Sequence, residues 1–210
     1  MTSDAVSRPD DVRRTRGRPP GPGVDLLARR ETLLDAAESA IGVNGIEFSL
    51  GQVADLAGLT RSAVYAVFED KDDLVASLTR RHTARITGHL GAAVTGAPDL
   101  QAATRAAVEV LVEWVESESS LAPVLMPQMH RGVGHSAITG YLETLLEQGF
   151  ATLGSDVRAA GPWARALIGA ISVTVGWWVR ERTMDRDELV DHLTNLLWSG
   201  FQGAQPSPDP

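Results

Sequence analysis

The sequence predicts an all-α protein of about nine helices. Apolar residues recur at intervals of three and four through most of the 210 residues, and no segment shows the strict alternation of a β-strand. Capping residues, glycines and prolines divide the chain into segments of helical length. No internal repeat is found.

The first helix is predicted to begin near Asp25. Leu33, Ala37 and Ile41 follow one another at intervals of four and so share one face. Asn44-Gly45 ends this helix, because both residue types tolerate the left-handed conformation of a helix C-terminus.

Two short helices joined by a tight glycine turn follow. Ser49 with Gln52 forms a capping box that starts the second helix at Leu50. Gly58 permits the sharp turn, and Thr60 caps the third helix. Since a helix-turn-helix places its second helix in the DNA major groove, this pattern predicts a DNA-binding unit.

Capping residues and prolines also mark the later helices. Asp70 with Asp73 opens a long fourth helix that runs to about Leu90. Pro98 is predicted to lie in the first turn of the fifth helix, and Pro123 and Pro127 make the sixth helix short or broken. Gly132-Val133-Gly134 is predicted to be a loop, and Ser136 to cap the seventh helix. Pro162 opens the eighth helix, and Asp185 with Glu188 caps the ninth.

The composition restricts the classes of protein. With no cysteine there is no disulfide, no thiolate metal site and no cysteine nucleophile. No apolar segment reaches the roughly 18 residues of a membrane helix, and the N-terminus lacks an apolar signal core. These features predict a soluble cytoplasmic protein.

The charge is unevenly distributed along the chain. The net charge is −8, yet residues 1–82 hold 11 basic and 13 acidic groups, against 8 and 14 in residues 83–210. The Pro- and Gly-rich residues 1–23, expected to be disordered without a partner, include Arg16-Gly17-Arg18-Pro19, which matches the core of an AT-hook. Arg16 and Arg18 would then enter a narrow A·T minor groove; a generic basic arm is the alternative, and both neutralise phosphate.

Residues 24–82 resemble the TetR/AcrR family of bacterial one-component repressors. The residues that carry the resemblance are Leu34, Ala36-Ala37, Gly45, Phe48-Ser49-Leu50, Val53-Ala54, Ala57-Gly58-Leu59-Thr60, Tyr65, Phe68, Lys71 and Asp73-Leu74. The resemblance implies a repressor that dimerises through its last two helices, here residues 163–182 and 187–200. Composition and the resemblance together predict four segments: a disordered arm (1–23), a DNA-binding domain (24–70), an effector and dimerisation domain (71–201) and a disordered tail (202–210). A twofold dimer requires a palindromic operator with half-sites at least one DNA turn apart, about 34–36 Å.

The exposed face of the third helix supplies the predicted DNA contacts. Arg61 is expected to pair with guanine, Ser62 with a base or phosphate, and Ala63 with a thymine methyl. Further predicted DNA contacts, mainly to phosphate, are Ser49, Thr60, Tyr65 and Lys71, the last being the only lysine in the chain. The alternatives are core packing for Tyr65 and an ion pair with Asp70 or Asp72 for Lys71.

A set of aromatic, methionine and leucine side chains in the second half of the chain is the candidate effector pocket. Its members are Trp114, Leu125, Met126, Met129, Tyr141, Leu145, Phe150 and Trp177. A small, largely apolar effector is predicted to bind there and to act on DNA through the fourth helix. The alternative is that this set is ordinary core, and the same alternative holds for the apolar stripes of the last two helices.

No enzyme motif is found. His82 and His89 share a helical face and His130 and His135 flank a glycine segment, but neither pair has a third ligand at metal-site spacing. There is no phosphate-binding glycine loop, nucleophile elbow or HExxH. We therefore predict no metal and no cofactor. An architectural DNA-binding protein without an effector is the main alternative, and a helical enzyme has no local support.

Overall fold

The computed structural model describes residues 26–131 and 133–202, and every regular element in that part of the chain is helical. The predicted all-α fold of about nine helices is confirmed. The helices are α1 (Leu26–Asn44), α2 (Leu50–Leu56), α3 (Arg61–Tyr65), α4 (Lys71–Thr95), α5 (Leu100–Ser117), α6 (Ala122–Arg131), α7 (Val133–Leu153), α8 (Ala160–Glu181) and α9 (Arg186–Gln202), with single 3₁₀ turns at Gly45–Glu47 and Val157–Ala159.

The predicted caps of the N-terminal helices are confirmed. Gly45 ends α1 with a φ of +54°, and Gly58 in the α2–α3 turn has a φ of +65°. The Ser49 side chain accepts a hydrogen bond from the Gln52 amide while the Gln52 side chain accepts one from the Ser49 amide, which is a complete capping box. The Thr60 hydroxyl caps α3 by accepting from the Ala63 amide.

The longest helix, α4, connects the N-terminal unit to the rest of the molecule. The Asp70 carboxylate caps it by accepting from the Asp73 amide at 2.8 Å. The helix has 25 residues, so it is about 38 Å long, and it ends five residues beyond the predicted Leu90. It packs against α1, α5, α6 and α7. This position makes α4 a mechanical link between the two halves of the chain.

Two predicted helix starts were wrong. Helix α5 begins at Leu100, so Pro98 lies outside its first turn. Asp99 is the N-cap: its backbone is extended, and its carboxylate accepts a hydrogen bond from the Ala102 amide at 2.8 Å. The seventh helix already begins at Val133 and so includes Ser136. Gly134, predicted to lie in a loop, is therefore inside the helix. A glycine in a helix costs only about 1 kcal/mol relative to alanine, and the packing of α7 against α4, α6 and α8 outweighs that cost.

The other boundaries follow the proline and capping signals. Helix α6 has ten residues with Pro127 inside it, in agreement with the predicted short helix. Pro162 lies in the first turn of α8, which begins two residues earlier at Ala160. At the start of α9, Asp185 and Glu188 each accept a hydrogen bond from the other's backbone amide, as predicted.

The hydrophobic core is continuous between the N-terminal unit and the helices that follow. One buried cluster contains the inward faces of α1, α2 and α3 together with residues of α4, α6 and α7; its members from the second half are Leu121, Val124, Leu125, Met129 and Ile138. A second cluster joins α5, α8 and α9 around the buried Trp178. A movement of α6 or α7 therefore displaces side chains of the core that lies directly beneath the helix-turn-helix.

Candidate nucleic-acid interface and apolar cavities

The short helix α3 is held on the N-terminal unit by its buried side. Val64 in the helix and Phe68 just after it are buried in the first core cluster. The opposite side carries Arg61, Ser62 and Tyr65, all of which are exposed. The prediction that these three side chains face solvent is confirmed, and core packing of Tyr65 is contradicted by an exposed fraction of 58%.

Arg61 lies against the first turn of α2, a contact that the sequence reasoning missed. A Cβ atom built on Gly51 would lie 2.8 Å from a terminal guanidinium nitrogen of Arg61. Glycine at this position therefore leaves room for the guanidinium. The signal available in the sequence was a glycine inside a helix, where the residue is otherwise unfavourable.

The four small side chains predicted to contact DNA have different surroundings. Ala63 is half-buried. The Thr60 and Ser62 hydroxyls are exposed and lie 3.0 Å apart, within hydrogen-bonding distance. Ser49 is exposed, and its hydroxyl is engaged with Gln52 in the α2 cap. The structure thus brings Thr60 and Ser62 together at the start of α3, next to Arg61, whereas Ser49 lies at the start of α2.

Lys71 stabilises the join between α4 and the 3₁₀ turn that follows α1. Its ammonium donates to the Ile46 carbonyl at 2.6 Å and lies 4.3 Å from the centre of the Phe48 ring. The alternative of an ion pair with Asp70 or Asp72 is not what the side chain forms. An ammonium has three donors, so one bond to a carbonyl leaves donors for a phosphate.

We expect Lys71→Met to destabilise the protein by about 1 kcal/mol, because a charged hydrogen bond and a cation–π contact are both lost while the apolar stem is kept. Urea unfolding measures the change. Arg29→Met on α1 is a control that removes a charge without this bond. Equal stability of the Lys71 variant and the wild type would contradict the stabilising role.

Arg16 and Arg18 lie outside the described residues, so their predicted minor-groove contact stays a prediction. Within the described residues, no three or more His, Cys, Asp or Glu side chains are grouped to hold a metal ion. No helix in that part of the chain has both the length and the apolar content of a membrane span.

A polar chain around the buried His82 links α5, α4 and α1, and sequence reasoning missed it. The Trp114 indole N–H donates to His82 Nδ1 at 3.2 Å, and His82 Nε2 lies 3.1 Å from a Glu38 carboxylate oxygen. His82 is fully buried, and burial lowers its pKa despite the opposing effect of Glu38. His89, expected on the same face, is exposed. The available signal was the position of His82 four residues from the apolar Leu78 and Ile86.

An apolar cavity of about 340 Å³ lies among α4, α5, α7, α8 and α9. This volume is within the range of natural small-molecule sites. The cavity is lined almost entirely by aliphatic side chains, with Thr104, Gln148 and Thr152 as its polar members. Leu100 and Leu153, both exposed by more than two-fifths of their surface, also line it. The cavity therefore reaches the surface near the start of α5 and the end of α7.

A second, smaller cavity of about 60 Å³ lies next to the first, toward α6. The two share the side chains Leu111, Ile138, Ile168 and Ile171. Trp114, Met126 and Met129 line the smaller cavity on its other sides. At this volume, a ligand group larger than a few atoms enters only if one of these side chains moves.

Five of the eight predicted pocket residues line these cavities. Leu145 and Phe150 line the large cavity, and Trp114, Met126 and Met129 line the small one. Leu125, Tyr141 and Trp177 line neither. Leu125 is fully buried in the core under the helix-turn-helix, the Tyr141 hydroxyl lies against Gly91 of α4, and Trp177 is 39% exposed. Helical spacing alone did not distinguish residues that line a cavity from residues that pack in the core or lie at the surface.

The last two helices combine core and surface positions. Leu189, Leu193 and Leu197 of α9 are buried in the second core cluster, so for these three the alternative of monomer core is correct. Leu196 remains 64% exposed, and on α8 Val173 and Trp177 are exposed by 74% and 39%. An apolar surface therefore remains on α8 and α9, and we call Val173, Trp177 and Leu196 the α8–α9 face.

Comparisons with known proteins agree with this architecture. A regulator from Mycobacterium tuberculosis, described as an uncharacterized HTH-type transcriptional regulator, is 26% identical over 205 residues, covering 88% of this chain and 87% of its own. A transcriptional regulator from Rhodococcus superposes with a TM-score of 0.69 at 21% identity, covering 85% and 99% of the two chains. FadR from Bacillus subtilis, solved with stearoyl-CoA, has a TM-score of 0.67 at 20% identity, covering 81% and 98%.

Two family models match separate parts of the chain. Residues 33–78 match the model of bacterial regulatory proteins of the tetR family. Residues 125–209 match the C-terminal domain of tetracyclin repressor-like proteins. Together they account for more than half of the 210 residues, and the relatives found are transcriptional regulators. The chain is therefore a helix-turn-helix transcriptional regulator that belongs to the TetR family.

Proposed function

We propose that this protein is a homodimeric repressor that binds a palindromic operator and leaves it when an apolar ligand occupies the large cavity. The observation that carries the proposal is that one helix, α4, begins at the DNA-facing unit and lines the ligand cavity further along. Lys71 opens α4 beside the DNA-facing surface, and Leu90 and Val94 near its end line the large cavity. Ligand and DNA would bias the same element, which is the physical requirement for coupling between two sites.

DNA is expected to bind at the exposed side of α3. Arg61 would read guanine, while Thr60, Ser62 and Tyr65 lie at suitable exposed positions for base or phosphate contacts. We assign residues 24–70 to this DNA-binding domain and residues 71–201 to the effector and dimerisation domain. A regulator of chromosomal genes would work in the cytoplasm.

The basic N-terminal arm would add affinity by neutralising phosphates. Deleting residues 1–20 removes Arg16 and Arg18 together with three further arginines. We expect weaker operator binding and a shallower dependence of log Kd on log salt, because each phosphate contact contributes about 0.9 to that slope. Fluorescence anisotropy at several salt concentrations measures both quantities. Unchanged affinity and an unchanged slope would remove the arm from the interface.

Dimerisation would use the α8–α9 face. In a twofold dimer the same patch meets itself, so an exposed apolar surface on α8 and α9 buries its counterpart on a second copy. Val173, Trp177 and Leu196 provide that surface, and the small Gly169 beside them allows close approach of the two backbones. The dimer would place two α3 helices on one face of the DNA.

The effector would be a molecule with a long apolar chain, such as a fatty acyl compound. The large cavity offers aliphatic walls and no charged residue, and it continues toward a second, smaller cavity. A polar head group would remain near the surface opening beside Gln148 and Thr152. FadR from Bacillus subtilis, which has the same fold, was solved with stearoyl-CoA. We therefore propose stearoyl-CoA and stearate as the first probes.

The test begins with selection of bound sequences from random DNA and continues with release of the selected DNA by stearoyl-CoA. We expect an inverted repeat and saturable release. Ala107→Phe, which fills the large cavity, should weaken stearoyl-CoA binding at least tenfold, whereas Ala151→Phe on the exposed side of α7 should not. Recovery of no inverted repeat, with a preference for DNA shape alone, would favour an architectural DNA-binding protein instead.

A further inference from the structure

Trp114 both lines the small cavity and forms a hydrogen bond with His82. One face of the side chain lines the small cavity, and its indole N–H donates to His82 Nδ1 at 3.2 Å. The two rings meet edge to face, with their centres 6.0 Å apart. Trp114 cannot turn away from the cavity and still keep this bond.

The bond to Trp114 fixes the tautomer of His82. Because Nδ1 accepts the indole proton, the imidazole proton of the neutral ring is on Nε2, which donates to the Glu38 carboxylate at 3.1 Å. Burial keeps the ring neutral by lowering its pKa. Each ring nitrogen thus has one partner, one from α5 and one from α1.

Glu38 lies on the part of α1 that packs beneath the helix-turn-helix. Ala37 and Ile41 on either side of it are fully buried in the core shared with α2 and α3. Its carboxylate also lies 3.6 Å from Arg81 and 3.8 Å from Arg85 of α4. A shift of Glu38 therefore changes how α1 sits on α4.

We propose that Trp114, His82 and Glu38 form a hydrogen-bonded relay that transmits occupancy of the apolar cavities to the DNA-binding unit. The relay rests on the proposed effector function and names its route of regulation. With the cavities empty, the relay ties α5 to α1 across α4 and holds α1 in the position that suits DNA. A chain that extends from the large cavity into the small one displaces Trp114, which breaks its bond to His82 and leaves the imidazole free to shift together with the Glu38 carboxylate that it holds.

The size of the small cavity explains why the relay responds to a ligand. At about 60 Å³, it accepts an acyl chain end only if its lining moves. Of the lining residues, Met126 is flexible and adapts to a ligand without consequence for hydrogen bonding. Trp114 is the lining residue whose displacement leaves a buried imidazole nitrogen without its donor, a cost that couples the cavity to α1.

A double-mutant cycle tests the relay without any ligand. Trp114→Phe removes the indole donor, and Glu38→Ala removes the carboxylate acceptor. We expect each single variant to raise the operator Kd about three- to tenfold. The Kd of the double variant should be less than about twofold above that of the weaker-binding single variant, because both substitutions break the same chain of hydrogen bonds. As a control, Asp35→Ala removes another partner of Arg81 and should combine multiplicatively with Trp114→Phe. Glu38→Met, which also lacks an oxygen acceptor, replaces Glu38→Ala if the alanine variant does not fold.

Multiplicative effects of Trp114→Phe and Glu38→Ala, or no effect of Trp114→Phe, would overturn the relay. An NMR measurement distinguishes a hydrogen-bonded relay from a purely packing role of these side chains. The ¹⁵N spectrum of His82 should show a neutral ring protonated on Nε2 in the wild type, and stearoyl-CoA should shift both its Nδ1 signal and the Trp114 indole signal. His89→Gln, an exposed histidine on the same helix, should leave these signals unchanged.

The ligand experiment also separates failure of the relay from failure of the proposed function. If stearoyl-CoA releases DNA from the wild type and the Trp114→Phe variant at the same concentration, the relay is wrong and the effector proposal stands. If stearoyl-CoA does not bind, the proposed effector class is wrong, and the double-mutant cycle still decides the relay.

Discussion

Val173→Asp should convert the protein to a monomer and raise its operator Kd more than a hundredfold. Val173 is the most exposed residue of the α8–α9 face, at 74% of its surface. In a twofold dimer the substitution places two carboxylates in the interface, and an unpaired buried charge costs about 3–5 kcal/mol. Since 1.4 kcal/mol is a tenfold change, the dimer should weaken by more than two orders of magnitude.

Sedimentation velocity and operator titration measure the two effects of Val173→Asp independently. Val157→Asp is a matched control, because Val157 is 44% exposed but lies in the 3₁₀ turn before α8. It should remain dimeric and bind DNA like the wild type. A dimeric Val173→Asp protein with normal operator affinity would place the dimer interface elsewhere.

Local rules were sufficient to predict the N-terminal unit. The caps at Ser49, Thr60 and Asp70 depend on residues three positions apart, and Gly45 and Gly58 have the positive φ angles that their turns require. The exposed side of α3 followed from the same spacing. The geometry of this part of the candidate site is encoded over short distances, so one sequence was enough to predict it.

The cavities and the Trp114–His82–Glu38 chain depend on distant contacts. His82 meets Glu38 across 44 residues and Trp114 across 32, and no spacing rule connects residues so far apart. For the same reason the pattern that correctly selected Met126 and Phe150 as cavity residues also selected Leu125, whose side chain packs in the core instead. Helical periodicity identifies a buried face, but the neighbouring helices decide whether that face meets a side chain or a void.

Arg61→Ala should weaken binding to the selected operator by about 1–3 kcal/mol per half-site and relax the base preference at one position in each. The exposed guanidinium at the start of α3 is the side chain best placed for a bidentate contact with guanine. Loss of that contact removes discrimination as well as affinity, so binding to unrelated DNA should change much less than binding to the operator.

Two further variants distinguish base reading from general attraction. Tyr65→Phe removes a hydroxyl expected to contact phosphate, so it should weaken binding to all sequences about equally. Gly51→Ala keeps the Arg61 side chain but places a Cβ atom 2.8 Å from its terminal nitrogen, so the guanidinium has to shift. Gly51→Ala should also reduce operator affinity, but by less than Arg61→Ala does. Operator titrations with each guanine position replaced in turn measure these effects, and a base preference unchanged by Arg61→Ala would show that another side chain reads the operator.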